Sequence, residues 1–369
     1  MIDNGGMPTV LLGGDVMLGR GVDQILPHPG DPLLCERYVR DARMYVELAE
    51  EANGAFARPV DFRRPWGDAL PLLAEADARL INLETAITAD GTFAPAKGIH
   101  YRMRPDNIPV LTAVAPVVCA LANNHVLDFG AYGLTDTLDA LDAAGIDHAG
   151  AGTDLDGARA PATAELGDGS RAVIVSVAAG SSGVPEYWAA RHDRLGLWRI
   201  GETPSVTAAD EVAAVVLAAT RDQDVAIVSI HWGPNWGYRV TPSEQRFAHR
   251  LIDAGVDVVH GHSAHHPRPI EIYRGKPILY GCGDVIDDYE GIHGHESYRT
   301  DLRLLFLVDL DAGAVRLRMI PLRMRRMRLR TAEPDEACWL CETIREISRC
   351  FDTRVATRAD GLPVVYRKD

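Results

Sequence analysis

The chain has 369 residues, enough for one large domain or two ordinary ones, and 47% of them are apolar, which argues against general disorder. Its formal net charge of −14 argues against nucleic acid or an anionic membrane surface as the main partner. Six cysteines over this length are too sparse for a disulfide scaffold, and no apolar run approaches membrane-spanning length.

In chain order, Met1–Gly6 carries no basic segment and runs straight into a short apolar stretch, which predicts a cytoplasmic protein without a leader. Buried strands are predicted at Val10–Leu12, Arg79–Ile81, Val117–Leu121, Ala172–Val177, Val225–Ile230, Asp257–Val259 and Pro277–Tyr280. Between the first two, the stretch Pro27–Pro65 has helical patterning over Tyr38–Ala52 and fits a substrate-covering insertion. A helix from Gly133 places Leu134, Leu138 and Leu141 on one face and stops at Gly145. A second begins at Thr241-Pro242-Ser243-Glu244, a capping box with proline at the first helical position, and runs through Phe247, Leu251 and Ile252 to Gly255. The alternation of strands and helices predicts an α/β fold with helices on both faces.

After residue 300 the pattern changes. Leu302–Leu310 and Ala314–Ile320 read as a two-strand return, followed by a basic run and a closing helix. The run Arg323, Arg325, Arg326, Arg328 and Arg330 invites a phosphate-binding reading, but its alternation with Met324, Met327 and Leu329 fits an exposed strand edge better. Cys338-Trp-Leu-Cys341 lies in an amphipathic stretch, where core packing of both cysteines is the better reading than a zinc or redox motif.

Almost every predicted strand runs into potential metal ligands: Gly14-Asp15, Asn82-Leu83-Glu84, Asn123-Asn124-His125 with Asp128, His231-Trp232-Gly233, and His260-Gly261-His262 with His265 and His266. One such end alone reads as a turn or a satisfied histidine. Five ends gathered where ligands collect in open α/β sheets are another matter. Oxygen ligands (Asp15, Glu84, Asn124) and imidazoles (His231, His262, His265) together predict a divalent metal, with Ca, Mn or Mg first and Zn or Fe next. His260 reads as a packed histidine at its strand's end. Trp232, Trp236 and Tyr238 are candidates for an apolar substrate pocket, although core packing explains Trp232 equally well.

The same motifs carry a resemblance. Gly14-Asp15-Val16-Met17-Leu18-Gly19-Arg20, Asn82-Leu83-Glu84-Thr85, Ala122-Asn123-Asn124-His125-x-x-Asp128-x-Gly130, His231-Trp232-Gly233 and Gly261-His262-x-x-His265 resemble the CapA (poly-γ-glutamate capsule) branch of the calcineurin-like metallophosphatases, from about residue 10 to 290. The resemblance implies two mixed β-sheets in a sandwich flanked by helices, with a metal site at one edge. It implies a catalytic domain over 1–320 and a strand/helix extension over 321–369 packed on it. It also implies that His125 is a general acid/base oriented by Asp128. Four places depart from the family pattern: Met17 replaces a first-motif histidine, so one of two metal positions lacks an imidazole; Glu84 represents the usual bridging Asp; Asn235 stands where an acidic residue is usual; and Gly283-Asp284-Val285 replaces Gly-Asn-Phe.

Two reactions follow from such a site. In one, metal-activated water attacks a phosphoester. In the other, two histidines move a proton at a carbon next to a carbonyl, as in the lasso-peptide epimerases of this branch, which invert the Cα of a C-terminal tryptophan and which this chain is similar to. The second is slightly preferred, with a peptide as substrate and neither nucleic acid nor membrane as partner. His125 with Asp128 is the first acid/base pair. The second draws on His262, His265 or His266 with Asp15 or Asp284, or on His295 from the His293–Glu296 loop. A role in poly-γ-glutamate synthesis and a purely binding role are the alternatives, the latter disfavoured by the retained His125 and Asp128.

Overall fold

The central strands are apolar on both faces, so each has to be covered on two sides. The computed structural model describes residues 8–311, 314–357 and 363–367; Met1–Gly6 and Lys368 lie outside the described residues. In chain order its main strands are β1 (Thr9–Val16), β2 (Ala78–Leu83), β3 (Val117–Ala120), β4 (Asp147–Ala149), β5 (Ala162–Glu165), β6 (Arg171–Ala178), β7 (Val225–His231) and β8 (Val258–His262). They continue with β9 (Ile270–Tyr273), β10 (Lys276–Leu279), β11 (Asp284–Ile286), β12 (Leu302–Asp311), β13 (Ala314–Met324), β14 (Leu329–Thr331), β15 (Thr353–Thr357) and β16 (Pro363–Arg367). The main helices are α1 (Arg20–Ile25), α2 (Arg43–Asn53), α3 (Gly130–Ala143), α4 (Val206–Ala219), α5 (Pro242–Ala254) and α6 (Pro334–Ile347).

Two mixed sheets result. The first runs β15-β16-β13-β12-β1-β2-β3-β4, with β11 beside β1 and β14 beside β13; the second runs β9-β10-β8-β7-β6-β5. Val10, Leu12, Leu80 and Val118 of the first meet Ile174, Ile227 and Val258 of the second in one dry layer. The odd neighbours Leu11, Ile81 and Leu83 turn outward against Val22, Val46 and Leu134 from α1, α2 and α3. Val175, Val228 and Val259 turn the other way against Val212 and Phe247 from α4 and α5. Each fully buried side chain of this kind contributes about 1.5–3 kcal/mol, so a two-sided strand is stabilised from both layers. The sandwich of mixed sheets with outer helices is the one the sequence implied.

Local signals also held. At α5 the Thr241 hydroxyl accepts the Glu244 N–H at 3.2 Å while the Glu244 carboxylate takes the Thr241 N–H at 2.6 Å. Helix α2 begins five residues later than its periodicity suggested, just after the bridge that ties Asp41 back to Leu33. Residues beyond 320 continue β13 and then add β14, α6, β15 and β16; the last two strands carried no clear signal in sequence. The core packing expected of Cys338 and Cys341 is only half right: Cys341 is buried beneath α6 and Cys338 is exposed.

Candidate functional site

A bulge creates the site. Leu12 pairs with Leu80 and Asp15 with Asn82, so β1 spends three residues where β2 spends two. The extra residue turns Asp15 to the inter-sheet face that regular alternation would give to Gly14 and Val16. Gly14 is required there, since a Cβ on it would lie 1.8 Å from the Gly283 carbonyl oxygen. On its other side Asp15 is in register with Asp284 of β11, so Asp284, Asp15 and Asn82 lie abreast on three adjacent strands.

The opposing sheet supplies nitrogen. Parallel pairing of β7 with β8 sets Ser229 beside His260 and His231 beside His262. Two-residue alternation keeps all four on the inter-sheet face, in line with Ile227 and Val258. Their hydrogen bonds fix the tautomers. The Gly13 carbonyl accepts from His260 Nε2 at 2.9 Å, which leaves His260 Nδ1 to accept from the Ser229 hydroxyl at 3.0 Å. The Ser229 oxygen then accepts from His262 Nε2 at 2.9 Å, and His262 Nδ1 is left with a bare lone pair. His231 donates through Nε2 to Asn124 Oδ1 at 3.1 Å, so its Nδ1 is bare as well.

Those two bare nitrogens face each other at 2.8 Å. Burial drives both imidazoles well below their ordinary pKa, so neither supplies a proton to separate the lone pairs. A cation between them resolves the repulsion. Asp15 completes the set: its Oδ1 lies 3.9 Å from His262 Nδ1, and one ligand atom from each of Asp15, His231 and His262 falls within 4.8 Å of the others. All three side chains are buried. Their bonds to Ser229, Asn124 and Asn82 are the outer partners that orient metal ligands.

Carboxylates crowd this centre. Asn82 Nδ2 bridges Asp15 Oδ1 at 2.7 Å and Glu84 Oε2 at 2.9 Å, and Asn123 donates to Asn82 Oδ1 at 3.0 Å. Burial, with the charge of Asp284, raises Asp15 to about 7. Burial and the charges of Asp15 and Asp284 hold Glu84 well above the carboxylate range. Both shifts are what a cluster shaped around positive charge shows when it must carry its own repulsion.

Two histidine–carboxylate pairs flank the centre. His125 Nδ1 meets Asp128 Oδ2 at 2.7 Å, and its Nε2 lies 3.6 Å from Glu84 Oε1. Lys97, which no sequence motif singled out, reaches in to Asp128 and the Asn124 carbonyl, with Nζ 2.9 Å from His125 Nδ1. Burial lowers His125 to about 4, against the pull of Asp128 and with the help of Lys97. On the other side His265 Nδ1 lies 3.1 Å from Asp284 Oδ1, and the Tyr289 hydroxyl donates to Asp284 Oδ2 at 2.7 Å. Burial opposes charge on His265, yet Asp284 holds its pKa above the ordinary value.

The predicted residues therefore separate into roles. Asp15, His231 and His262 converge as ligands. Glu84 adjoins them through Asn82, Asn124 orients His231, and His265 turns toward Asp284. Of the alternatives for a second acid/base pair, His265 with Asp284 is the close one, while His266 is tied to Pro267 O and the Gly237 N–H. His295 stacks on Trp236 with centroids 3.8 Å apart, and Tyr238 packs against Tyr298, so these rings wall the approach beside His265. Trp232 is not among them: it is fully buried, stacked on Tyr280, with its indole N–H bonded to the Tyr280 carbonyl. His293 projects into solvent.

Comparison with known proteins adds lineage. The model of the bacterial capsule synthesis protein PGA_cap matches residues 9–289, the span that holds every residue of the site. A probable polyglutamine synthesis accessory protein of Mycobacterium tuberculosis is 61% identical over 367 residues, covering 98% of this chain and 97% of its own length. The PGA biosynthesis protein CapA of Bacillus subtilis is 27% identical over 263 residues, 70% of this chain and 64% of that protein. The capsule biosynthesis protein CapA of Bacillus anthracis is 24% identical over 323 residues, 86% of this chain and 67% of that protein. No helix among the described residues is long and apolar enough to cross a membrane.

Proposed function

Since the chain belongs to the bacterial capsule synthesis protein PGA_cap family, we propose that it is a metal-assisted acid/base enzyme of polyglutamate synthesis that hydrolyses an amide bond of a polyglutamyl chain. The observation that carries the reading is the pair of bare imidazole nitrogens facing each other beside Asp15. Two nitrogens and one carboxylate favour Mn, Fe or Zn over Ca or Mg. When bound, such a cation polarises a carbonyl and lowers the pKa of water.

The chain's own residues divide the proton work. His125, its Nδ1 proton held by Asp128, offers Nε2 on the Glu84 side to take a proton from water. His265, held by Asp284 and Tyr289, stands on the other side to protonate the leaving amine. In-line displacement at phosphorus works best with two cations about 3.5–4 Å apart. Met17, which is buried, takes the motif position where the resemblance implies a histidine ligand for a second cation, so the phosphoester reading ranks lower. Epimerisation at a peptide Cα is the second reading. It is favoured by one feature: the two histidines arise from different sheets and approach the centre from different sides, as removal and return of a proton require.

One experiment separates these. The metal-loaded chain is incubated with defined glutamyl oligomers in H₂¹⁸O and, in parallel, in D₂O. Amide hydrolysis places ¹⁸O in a new carboxyl group. Deuterium at Cα in uncleaved chains would replace hydrolysis by epimerisation. Neither label, with the cation bound, would sink the enzymatic reading and leave a binding role.

A further inference from the structure

The arginine run has a place in the fold that its alternation did not foretell. The turn between β13 and β14 packs against α2 around a cleft of about 520 Å³, lined by Arg64, Arg323, Arg325, Arg326, Arg328 and Arg330. Three carboxylates, Asp68, Glu333 and Glu336, share its walls, so guanidinium groups outnumber them two to one in a chain of net charge −14. A second cleft of about 370 Å³ shares Arg64 and Arg328 and adds Arg63 together with Asp61.

The cleft is under-satisfied. Nε of Arg64, of Arg323 and of Arg328 is buried without a hydrogen-bond partner. Among the described residues neither Arg64 nor Arg325 has a carboxylate partner: Arg64 lies over the Phe56 ring and Arg325 donates to Asn53 Oδ1 at 2.8 Å. Burial, reinforced by Arg328, Arg326 and Arg330, pulls the Arg64 pKa down. The turn itself is costly, with Arg326 and Met327 both in the left-handed region (φ +52° and +51°). The Met327 side chain is anchored in the core, so the strained turn holds Arg325, Arg326 and Arg328 toward one space. Where a carboxylate is present it is taken up: Asp68 lies 3.0 Å from Arg328 and 3.6 Å from Arg330.

A short segment ties this cleft to the metal centre. Residues 284–290 run from one to the other: Asp284 holds His265, while Glu290 accepts the Arg326 N–H at 2.5 Å and the Asn53 amide at 2.7 Å. Seven residues span no more than about 22 Å when fully extended. We propose that the arginine cleft binds the side-chain carboxylates of an acidic polyglutamyl chain whose reacting segment lies at the metal centre. The identity of the polymer rests on the function proposed above; the anion site rests on the excess of guanidinium groups over carboxylates and on the three buried Nε atoms that no described residue satisfies. Single-stranded nucleic acid fits less well, because the lining offers no ring on which bases could stack.

The test measures binding apart from turnover, by fluorescence anisotropy of a labelled decaglutamate on the full chain. The expected result is binding that weakens at least tenfold in Arg325→Glu/Arg326→Glu and in Arg64→Gln, and that persists in His231→Ala. Arg325 is exposed, so its reversal leaves the core intact, and circular dichroism verifies this. Equal binding of decaglutamine, unchanged affinity in all arginine variants, or preference for polyphosphate over decaglutamate would each overturn the assignment. Turnover of glutamyl chains without any arginine dependence would spare the proposed function and remove the cleft. Arginine-dependent binding without turnover would do the reverse.

Discussion

His125 is buried and His265 half-buried, each is bonded through Nδ1 to a carboxylate, and yet they are held in opposite directions: His125 is lowered to about 4 and His265 is raised. The third partner accounts for the contrast. Asp128 shares its charge with Lys97, which also stands 2.9 Å from the imidazole, so burial wins. Asp284 accepts from the neutral Tyr289 hydroxyl where Asp128 meets a lysine, and Asp15 and Asp287 add further negative charge around His265. A histidine–carboxylate pair is thus not a unit with a fixed character. Its neighbours decide which member of a reaction it is equipped to be, and environments that push two titratable groups apart are how acid and base are told from each other.

The strongest way to break that comparison is to delete each side in turn. His125→Gln and His265→Gln should each lower turnover on the order of 10²–10⁴-fold while leaving cation binding in place, read as kcat beside calorimetric metal titration. Loss from only one variant would make the other histidine structural. Next in size is the pH dependence of cation affinity. Burial and Asp284 raise Asp15 to about 7, so below that pH a cation must displace a proton from it. Affinity should fall about tenfold per pH unit below 7 and level off above it, whereas a flat profile from pH 5.5 to 8 would exclude Asp15 as a ligand.

Lys97→Met sharpens the comparison, because it should make His125 resemble His265. The His125 pKa is expected to rise from about 4 while burial still holds it below the ordinary value, checked by NMR titration of the imidazole resonances. An unmoved resonance would mean that burial alone holds His125 neutral. The smallest effect belongs to Tyr289→Phe, which removes the 2.7 Å bond to Asp284. It should cost about 1–2 kcal/mol in urea unfolding and change turnover only a few-fold.

Much of this was legible in the chain. Strand ends bearing Asp15, Glu84, His231 and His262 were readable because period-two apolar runs announce strands, and ligands follow at their carboxyl ends. Asp284 was on the short list of partners, and the structure chooses His265 for it. Lys97 was not readable: it sits in an aperiodic loop 31 residues before Asp128, and only the folded path of that loop brings the two together. The bulge at Asp15 escaped too, since an extra residue in one strand has no meaning until its neighbour's register is known. The arginine run was read as an edge because alternation reports which side chains are buried, as Met324, Met327 and Leu329 are, and says nothing of what the outward ones face.

The relay from the Gly13 carbonyl through His260 and Ser229 to His262 crosses from one sheet to the other. Its first member is a backbone atom of β1 and its last is a vacant nitrogen on β8. Neither sheet alone can prepare that nitrogen. A nascent chain with one layer formed has histidines but no competent receptor, and the ability to capture a cation arrives only when the layers dock in register. Metal uptake by this protein should therefore serve as a gauge of the final step of its folding, silent until the sandwich closes.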